Sequence, residues 1–390
     1  MRPAGHRGQE DSATAKQREA IGESRFPWKR REGQLNPSFR EVITAADADR
    51  LDLFLGAAAR LGTAVQNVEK DFWVCWTLDV LFNGLAAGGP RLLFKGGTSL
   101  SKAFGLISRF SEDIDITVFR DDLGQAADVA ELEALSGKKR RARLESIRSA
   151  CQAYIAGPLT DQFAQVAAAV IPQGRFRLEL DPDDQDGQSL LFWYPAVTPT
   201  AGSYIRSAVK IESGAKSALD PHIAASVVPY VAQDLPGLDL AVGNVTTVKP
   251  ERTFWDKVII LHGLRQWHDR RGELRHGGQR VSRHYYDVHR LMQAPASSEW
   301  QADHALAVDC AQHARLFFGS ADLGLDAAQS GTFTLMPSPA MREALAKDYA
   351  AMAGMVFGEV PRLDAVLASI ERFEQIVNGT AVAAPLVQKE

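Results

Sequence analysis

Residues 91–118 read RLLFKGGTSLSKAFGLISRFSEDIDITV, and this stretch decides the fold. RLLFKGGTSL reads as a short apolar strand, a glycine turn and a helix beginning near Thr98 or Ser99, both good N-cap residues. The helix continues through SKAFGL, ISRFS forms a loop, and EDIDITVF is a second strand. Alternate side chains of a strand share a face. Ile114, Ile116 and Val118 are therefore expected to face a core, and Asp113, Asp115 and Thr117 to face the other way.

That pattern carries chemistry. Two carboxylates two residues apart on one strand face can share a divalent cation, and hard cations such as Mg²⁺ take oxygen ligands together with substrate phosphates. In Lys95-Gly96-Gly97-Thr98-Ser99, two glycines allow close backbone approach to a phosphate. Successive N–H groups and a helix N-terminus then add positive potential. Alone, Gly-Gly is usually a turn and Asp-x-Asp a solvated strand face. Together they place a phosphate cradle beside a metal clamp, the two parts phosphoryl transfer needs most.

Outward from this stretch, residues 45–85 read as two helices, the second (VEKDFWVCWTLDVLF) apolar enough to be buried. GKKRRARLESIRSACQAYI is a basic amphipathic helix. GRFRLELD, SLLFWYPAV and SYIRSAVKIES are strand-like, each bounded by Gly, Pro or Asp clusters. After Lys249-Pro250 the pattern is helical to about residue 378. The expected organisation is a mostly disordered polar lead-in over residues 1–40, a core over 41–249 and a helical lobe over 250–390. The last dozen residues read as a loose tail.

The net charge of −4 argues against a surface that grips nucleic acid everywhere, although local basic patches remain open. Cys75, Cys151 and Cys310 are odd in number and lack metal-ligand spacing, which fits reduced buried thiols in a cytoplasmic protein. No apolar run is long enough to span a membrane.

The glycine turn opening a helix, followed by an acidic pair on the next strand, resembles the nucleotidyltransferase superfamily of the DNA-polymerase-β type. The resemblance implies an α+β fold: a mixed sheet with flanking helices, here with a helical C-terminal lobe. It also implies a third carboxylate from a later strand. Glu212 in AVKIES is the candidate, with Glu179 in RLELD competing.

A narrower set occurs in order: VEKDFWVCWTLDVLF, LLFKGGTSLSKAFGLISRFSEDIDI, VKPERTFWDKVIILHGL and SRHYYDVHRLM. Together these segments resemble the AbiEii/AbiGii toxin family of nucleotidyltransferases, which includes the MenT-type toxins. The resemblance implies that Gly97, Thr98 and Ser99, with Lys95 and Gly96 beside them, hold nucleotide phosphates. It implies that Asp113 and Asp115 bind metal, that Lys257 contacts the nucleotide, and that Asp287 is a further essential carboxylate. The segment between Lys257 and Asp287, with HDRRGELRHGGQR, is longer than in compact members. Read without the family, Lys257 is a lysine reaching past the core to water, and Asp287 pairs with Arg283 or Arg290 on its own helix.

The resemblance further implies a nucleoside triphosphate substrate, Mg²⁺ or Mn²⁺, an acceptor such as the 3′ end of tRNA, and a cognate AbiEi-like antitoxin. An RNA acceptor fits the basic run Lys138, Lys139, Arg140, Arg141 and Arg143. It also fits the seven arginines against three acids between Arg265 and Arg290. A solvated helix face and a basic loop would give the same pattern. His262, His268, His276, His284 and His289 lack metal-site spacing and read as loop and surface residues, with His284 near the site. The competing functions are nucleotidylation of a small molecule or protein, and growth inhibition by nucleotide binding without catalysis.

Overall fold

The computed structural model describes residues 34–199 and 206–379. Among them, seven strands form one mixed sheet in the order β3-β4-β5-β2-β1-β7-β6. The strands are β1 Leu92–Lys95, β2 Asp113–Val118, β3 Arg177–Leu180, β4 Ser189–Trp193, β5 Ala208–Glu212, β6 His222–Val227 and β7 Val242–Val248. β1 runs antiparallel to β2, whereas β2 pairs with β5 and β1 with β7 in parallel. The expected α+β architecture is present. The pair β6 and β7 is an addition to the strands read from sequence, although VGNVTTV carried the β-branched signal.

Alternation sets the two faces of the central strands. Ile114, Ile116, Val118, Val209 and Ile211 are fully buried on one side. Against that side packs α3 (Val65–Asp79), which crosses β7, β5 and β2. It is buried on nearly every face, and its buried charges Lys70 and Asp71 are paired, with Glu112 and Lys102. Trp73 stacks on Tyr194, and Trp76 meets Phe163 edge-on.

Two helices precede α3: α1 (Pro37–Thr44) and α2 (Asp47–Leu61). The expected disordered lead-in over 1–40 therefore ends earlier, because the chain is anchored from residue 36. The Asn36 side chain caps α1 through the Ser38 N–H and donates to the carbonyls of Asp239 and Ala241, while Phe39 packs on Phe72. The rest of that expectation, residues 1–33, lies outside the described residues, as do residues 380–390 of the expected tail.

The other apolar cluster belongs to the helices after β7: α8 (Pro250–Arg271), α9 (Ser282–Leu291), α10 (Ser297–Ala302), α11 (His304–Phe317), α12 (Pro339–Met352) and α13 (Leu363–Val377). Leu100 and Ile107, from the stretch just after the glycine turn, are rooted in this second cluster. The turn therefore sits where the two cores meet. The helix behind it, α4 (Gly96–Lys102), is fixed to α3 by a buried Lys102–Asp71 ion pair of 2.7 Å.

Candidate active site

The helix begins earlier than its sequence suggested. α4 opens at Gly96, and Thr98 and Ser99 lie within its first turn rather than capping it. The reason is the backbone of Gly96, whose φ of +81° turns the chain at once out of β1. Thr98 instead donates its hydroxyl to the Asp113 carbonyl and lies 2.8 Å from the Ser111 hydroxyl, tying the turn to the strand that bears the carboxylates. Ser99 Oγ donates to the Gly96 carbonyl.

Turn and carboxylates share one small space. A Cβ at Gly96 would fall 2.0 Å from Asp115 Oδ2. Lys95 pairs in register with Asp115, which pairs in turn with Glu212 on β5. Lys95, Asp115 and Glu212 thus form one row across three strands, with Asp113 and Lys210 in the next row on the same face. Glu179 lies on edge strand β3, roughly 14 Å from β2 at strand spacing, and is held by Trp193 Nε1 and Arg177. Position favours Glu212.

Each carboxylate here faces a protein cation. Arg280 bridges Asp113 at 3.1 Å and Glu112 at 2.9 Å, and Lys70 holds Glu112 at 2.7 Å. Lys210 reaches Glu212 at 3.0 Å, and Lys95 stands 3.9 Å from Asp115. Among the described residues, no three His, Cys, Asp or Glu side chains are already gathered tightly enough to hold a metal ion. The donor set is nonetheless all carboxylate oxygen, the chemistry a hard divalent cation takes. Burial, with the charges of Glu112 and Glu212 behind it, pushes the Asp113 carboxyl up to about 6. Burial also opposes ionisation of Glu112, but Lys70 and Arg280 outweigh it and hold that carboxyl below the usual range.

Asp287 and Lys257 meet in the helical half of the site. Lys257 on α8 is buried and lies 2.9 Å from Asp287 on α9. Arg109 grips the same carboxylate with two nitrogens, each at 2.8 Å. Neither solvent-reaching Lys257 nor pairing of Asp287 within its own helix is what the structure contains. Burial disfavours the Asp287 carboxylate, yet the Arg109 and Lys257 charges overcome it and keep the carboxyl well below its ordinary range. Arg109 also touches the turn: a Cβ at Gly97 would lie 2.5 Å from its guanidinium. The two halves of the site are therefore in contact through Arg109. Beside them, His284 Nδ1 is buried without a hydrogen-bond partner, and burial plus the Lys257 and Arg283 charges hold its ring neutral.

The basic run lies elsewhere. On α6 (Gly137–Tyr154), Lys138, Lys139 and Arg141 are exposed and Arg140 is half-buried. Arg143 is folded back onto Glu131, Gln125 and the Ala126 carbonyl. Arg140 and Arg141 line a cavity of about 980 Å³ with Arg270 and Arg315, and none of the site carboxylates lines it. His262, His268 and His289, expected at the surface, are buried in helices; the His276 side chain lies outside the described residues. Sequence reasoning missed Lys70, Arg109, Glu112 and Arg280. Glu112 lies inside the acidic EDID run and Arg280 ends the arginine-rich HDRRGELRHGGQR, whereas Lys70 and Arg109 carried no such signal.

A protein-family model described as the nucleotidyl transferase AbiEii toxin of a type IV toxin–antitoxin system matches residues 79–378. Among solved structures, the chain is similar to MenT4, a nucleotidyltransferase toxin from Mycobacterium tuberculosis H37Rv. The two are 16% identical, with 87% of this chain and 100% of that chain covered and a TM-score of 0.39. No curated protein matches the chain.

Proposed function

The chain belongs to the AbiEii nucleotidyltransferase toxin family, and from that premise we propose that it transfers nucleotides from a triphosphate to an RNA acceptor such as the 3′ end of tRNA. The observation that carries the reading is the closeness of Gly96 to Asp115, which brings the glycine bend and the acidic row into one space. In this reading Lys95, Gly96, Gly97, Thr98 and Ser99 receive the triphosphate, with Lys257 contributing charge beside them. Asp113, Asp115 and Glu212 would hold Mg²⁺ or Mn²⁺. A divalent cation there neutralises charge that develops on the phosphoryl oxygens.

The acceptor hydroxyl attacks the α-phosphorus. A new O–P bond forms, the bond to the β-phosphate oxygen breaks, and pyrophosphate leaves with the electron pair. The hydroxyl proton passes to a carboxylate of the Asp113–Asp115–Glu212 row. Asp287 acts as a positioning residue, holding Arg109 against the turn and Lys257 beside it.

Of the described residues, those from 41 to 249 form the transferase core in this reading, and those from 250 to 379 form a helical lobe that completes the site. An RNA acceptor is supported by Lys138, Lys139, Arg140 and Arg141, exposed or half-exposed on α6 and without an ion-pair partner among the described residues, whereas Arg143 is held by its own loop. Family membership implies a cognate antitoxin, here of the AbiEi type. No helix among the described residues is long and apolar enough to cross a membrane. The protein acts where its substrates are, in the cytoplasm.

The test is incubation of the purified chain with each labelled triphosphate, Mg²⁺ and total tRNA. Label on tRNA that disappears with chelator is expected. Label on protein or a small molecule alone, or no transfer with nucleotide still bound, overturns the reading.

A further inference from the structure

In-line phosphoryl transfer fixes where the acceptor must stand. The attacking and leaving oxygens lie on opposite sides of the phosphorus. With the triphosphate on the turn after β1, pyrophosphate leaves on the β1 side of the carboxylates. The attacking hydroxyl must then come from across them, over β5 and β4.

A cavity of about 310 Å³ lies there. Its wall begins at Asp113 and continues over Lys210 and Ala208 of β5, Leu191 of β4 and Asp181 just beyond β3. Lys70, Arg206 and Arg280 close it from other elements. Lys210 joins it to the carboxylate row, reaching Asp181 at 3.1 Å and Glu212 at 3.0 Å. We infer that this cavity receives the terminal ribose and phosphate of the RNA acceptor, with Lys210 and Arg206 as phosphate-binding residues. The inference rests on the RNA-acceptor reading above.

Three features favour that occupant. The volume lies at the low end of the roughly 300–1,000 Å³ typical of ligand sites, enough for one nucleotide unit and too small for a folded protein segment. Lys70, Arg206, Lys210 and Arg280 face Glu112, Asp113, Asp181 and Asp183; with Asp113 assigned to the divalent cation, the remaining lining has one positive charge in excess. That suits a phosphodiester. Among the described residues no aromatic ring lines the cavity, and the apolar part of that lining is one leucine and one alanine. That charged lining suits recognition through sugar and phosphate.

The experiment compares Arg206→Ala and Lys210→Gln with the unaltered full chain, measuring KM for total tRNA and for the triphosphate at several salt concentrations. Arg206 is exposed and paired only at the rim with Asp183, so Arg206→Ala carries the test if Lys210→Gln folds poorly. The expected result is a rise of about tenfold in the tRNA KM, a triphosphate KM within about twofold, and a salt slope smaller by about one per lost cation. An unchanged tRNA KM and salt slope in Arg206→Ala, with transfer to tRNA intact, overturns the cavity assignment alone. A rise confined to the triphosphate KM gives the cavity to the leaving phosphates and overturns it too. Failure of the unaltered chain to label any RNA sinks the acceptor reading first, and the occupant with it.

Discussion

Arg109 and Asp287, 178 residues apart in the chain, meet in a two-pronged ion pair with both N–O distances at 2.8 Å. Both side chains are buried, and Lys257 shares the same carboxylate. The pair joins the loop before β2 to α9, so it is a tie between the carboxylate strand and the helical half as well as part of the site.

Arg109→Ala is expected to destabilise the chain by about 3–5 kcal/mol, because it leaves a fully buried carboxylate with one partner instead of two. Arg109→Lys recovers only part of this, since an ammonium cannot reproduce the planar fork. Urea unfolding of the three proteins gives the comparison. A loss below about 1 kcal/mol in the alanine variant would show that the tie contributes little.

Gly96→Ala is expected to lower transfer by about 100-fold or more while costing roughly 1–2 kcal/mol in stability. Its Cβ would overlap the Asp115 carboxylate, and its φ of +81° suits glycine. Steady-state transfer rates and thermal melting separate the two effects. Normal activity in a folded variant would detach the turn from the chemistry.

Asp115→Ala is expected to remove Mg²⁺-dependent transfer and toxicity together, leaving the melting temperature within a few degrees of the unaltered chain. Asp115 is only partly buried, and its cation neighbour Lys95 stands at 3.9 Å, so little folding energy depends on it. Growth assays on the expressed variant and label transfer by the purified protein give the two readouts. Retained transfer would remove Asp115 from the mechanism.

Acid should weaken the Arg109–Asp287–Lys257 tie in a defined direction. The Asp287 carboxyl is held below its ordinary value of 3.8 in the folded chain, so the folded state binds this proton less readily than the unfolded one. Its stabilisation is fully present above that value and is lost as the pH falls below it. The gap in urea midpoint between the unaltered chain and Asp287→Asn is therefore expected to be level from pH 8 to about 5 and to shrink below about 4. A gap that stays constant down to pH 3 would place the proton elsewhere.

Much of this site was legible where it followed a local period. The strand alternation in EDIDITV gave the directions of Asp113 and Asp115, and AVKIES gave Glu212 the same way, because a strand's side chains alternate whatever it pairs with. The start of α4 is not legible in the cap chemistry of Thr98 and Ser99, because the positive φ that Gly96 permits opens the helix two residues sooner than Thr98. Lys257 and Asp287 entered through family resemblance, since their meeting depends on how two helices pack. Arg109, Lys70 and Arg280 left no periodic trace. Each acquires its place only when distant segments converge on a carboxylate, and Arg280 does so from a left-handed backbone position of φ +60°.

A single residue, Lys249, separates β7 from α8. β7 lies directly beside β1, which ends at the Gly96 bend, and α8 carries Lys257. Strand and helix therefore form one rigid lever, short at the joint and braced by the sheet. The Lys257 ammonium, paired with Asp287, is therefore tied through the sheet to the bend after β1. Arg280, on the loop between α8 and α9, reaches the acids from outside this braced unit, 3.1 Å from Asp113 and 2.9 Å from Glu112.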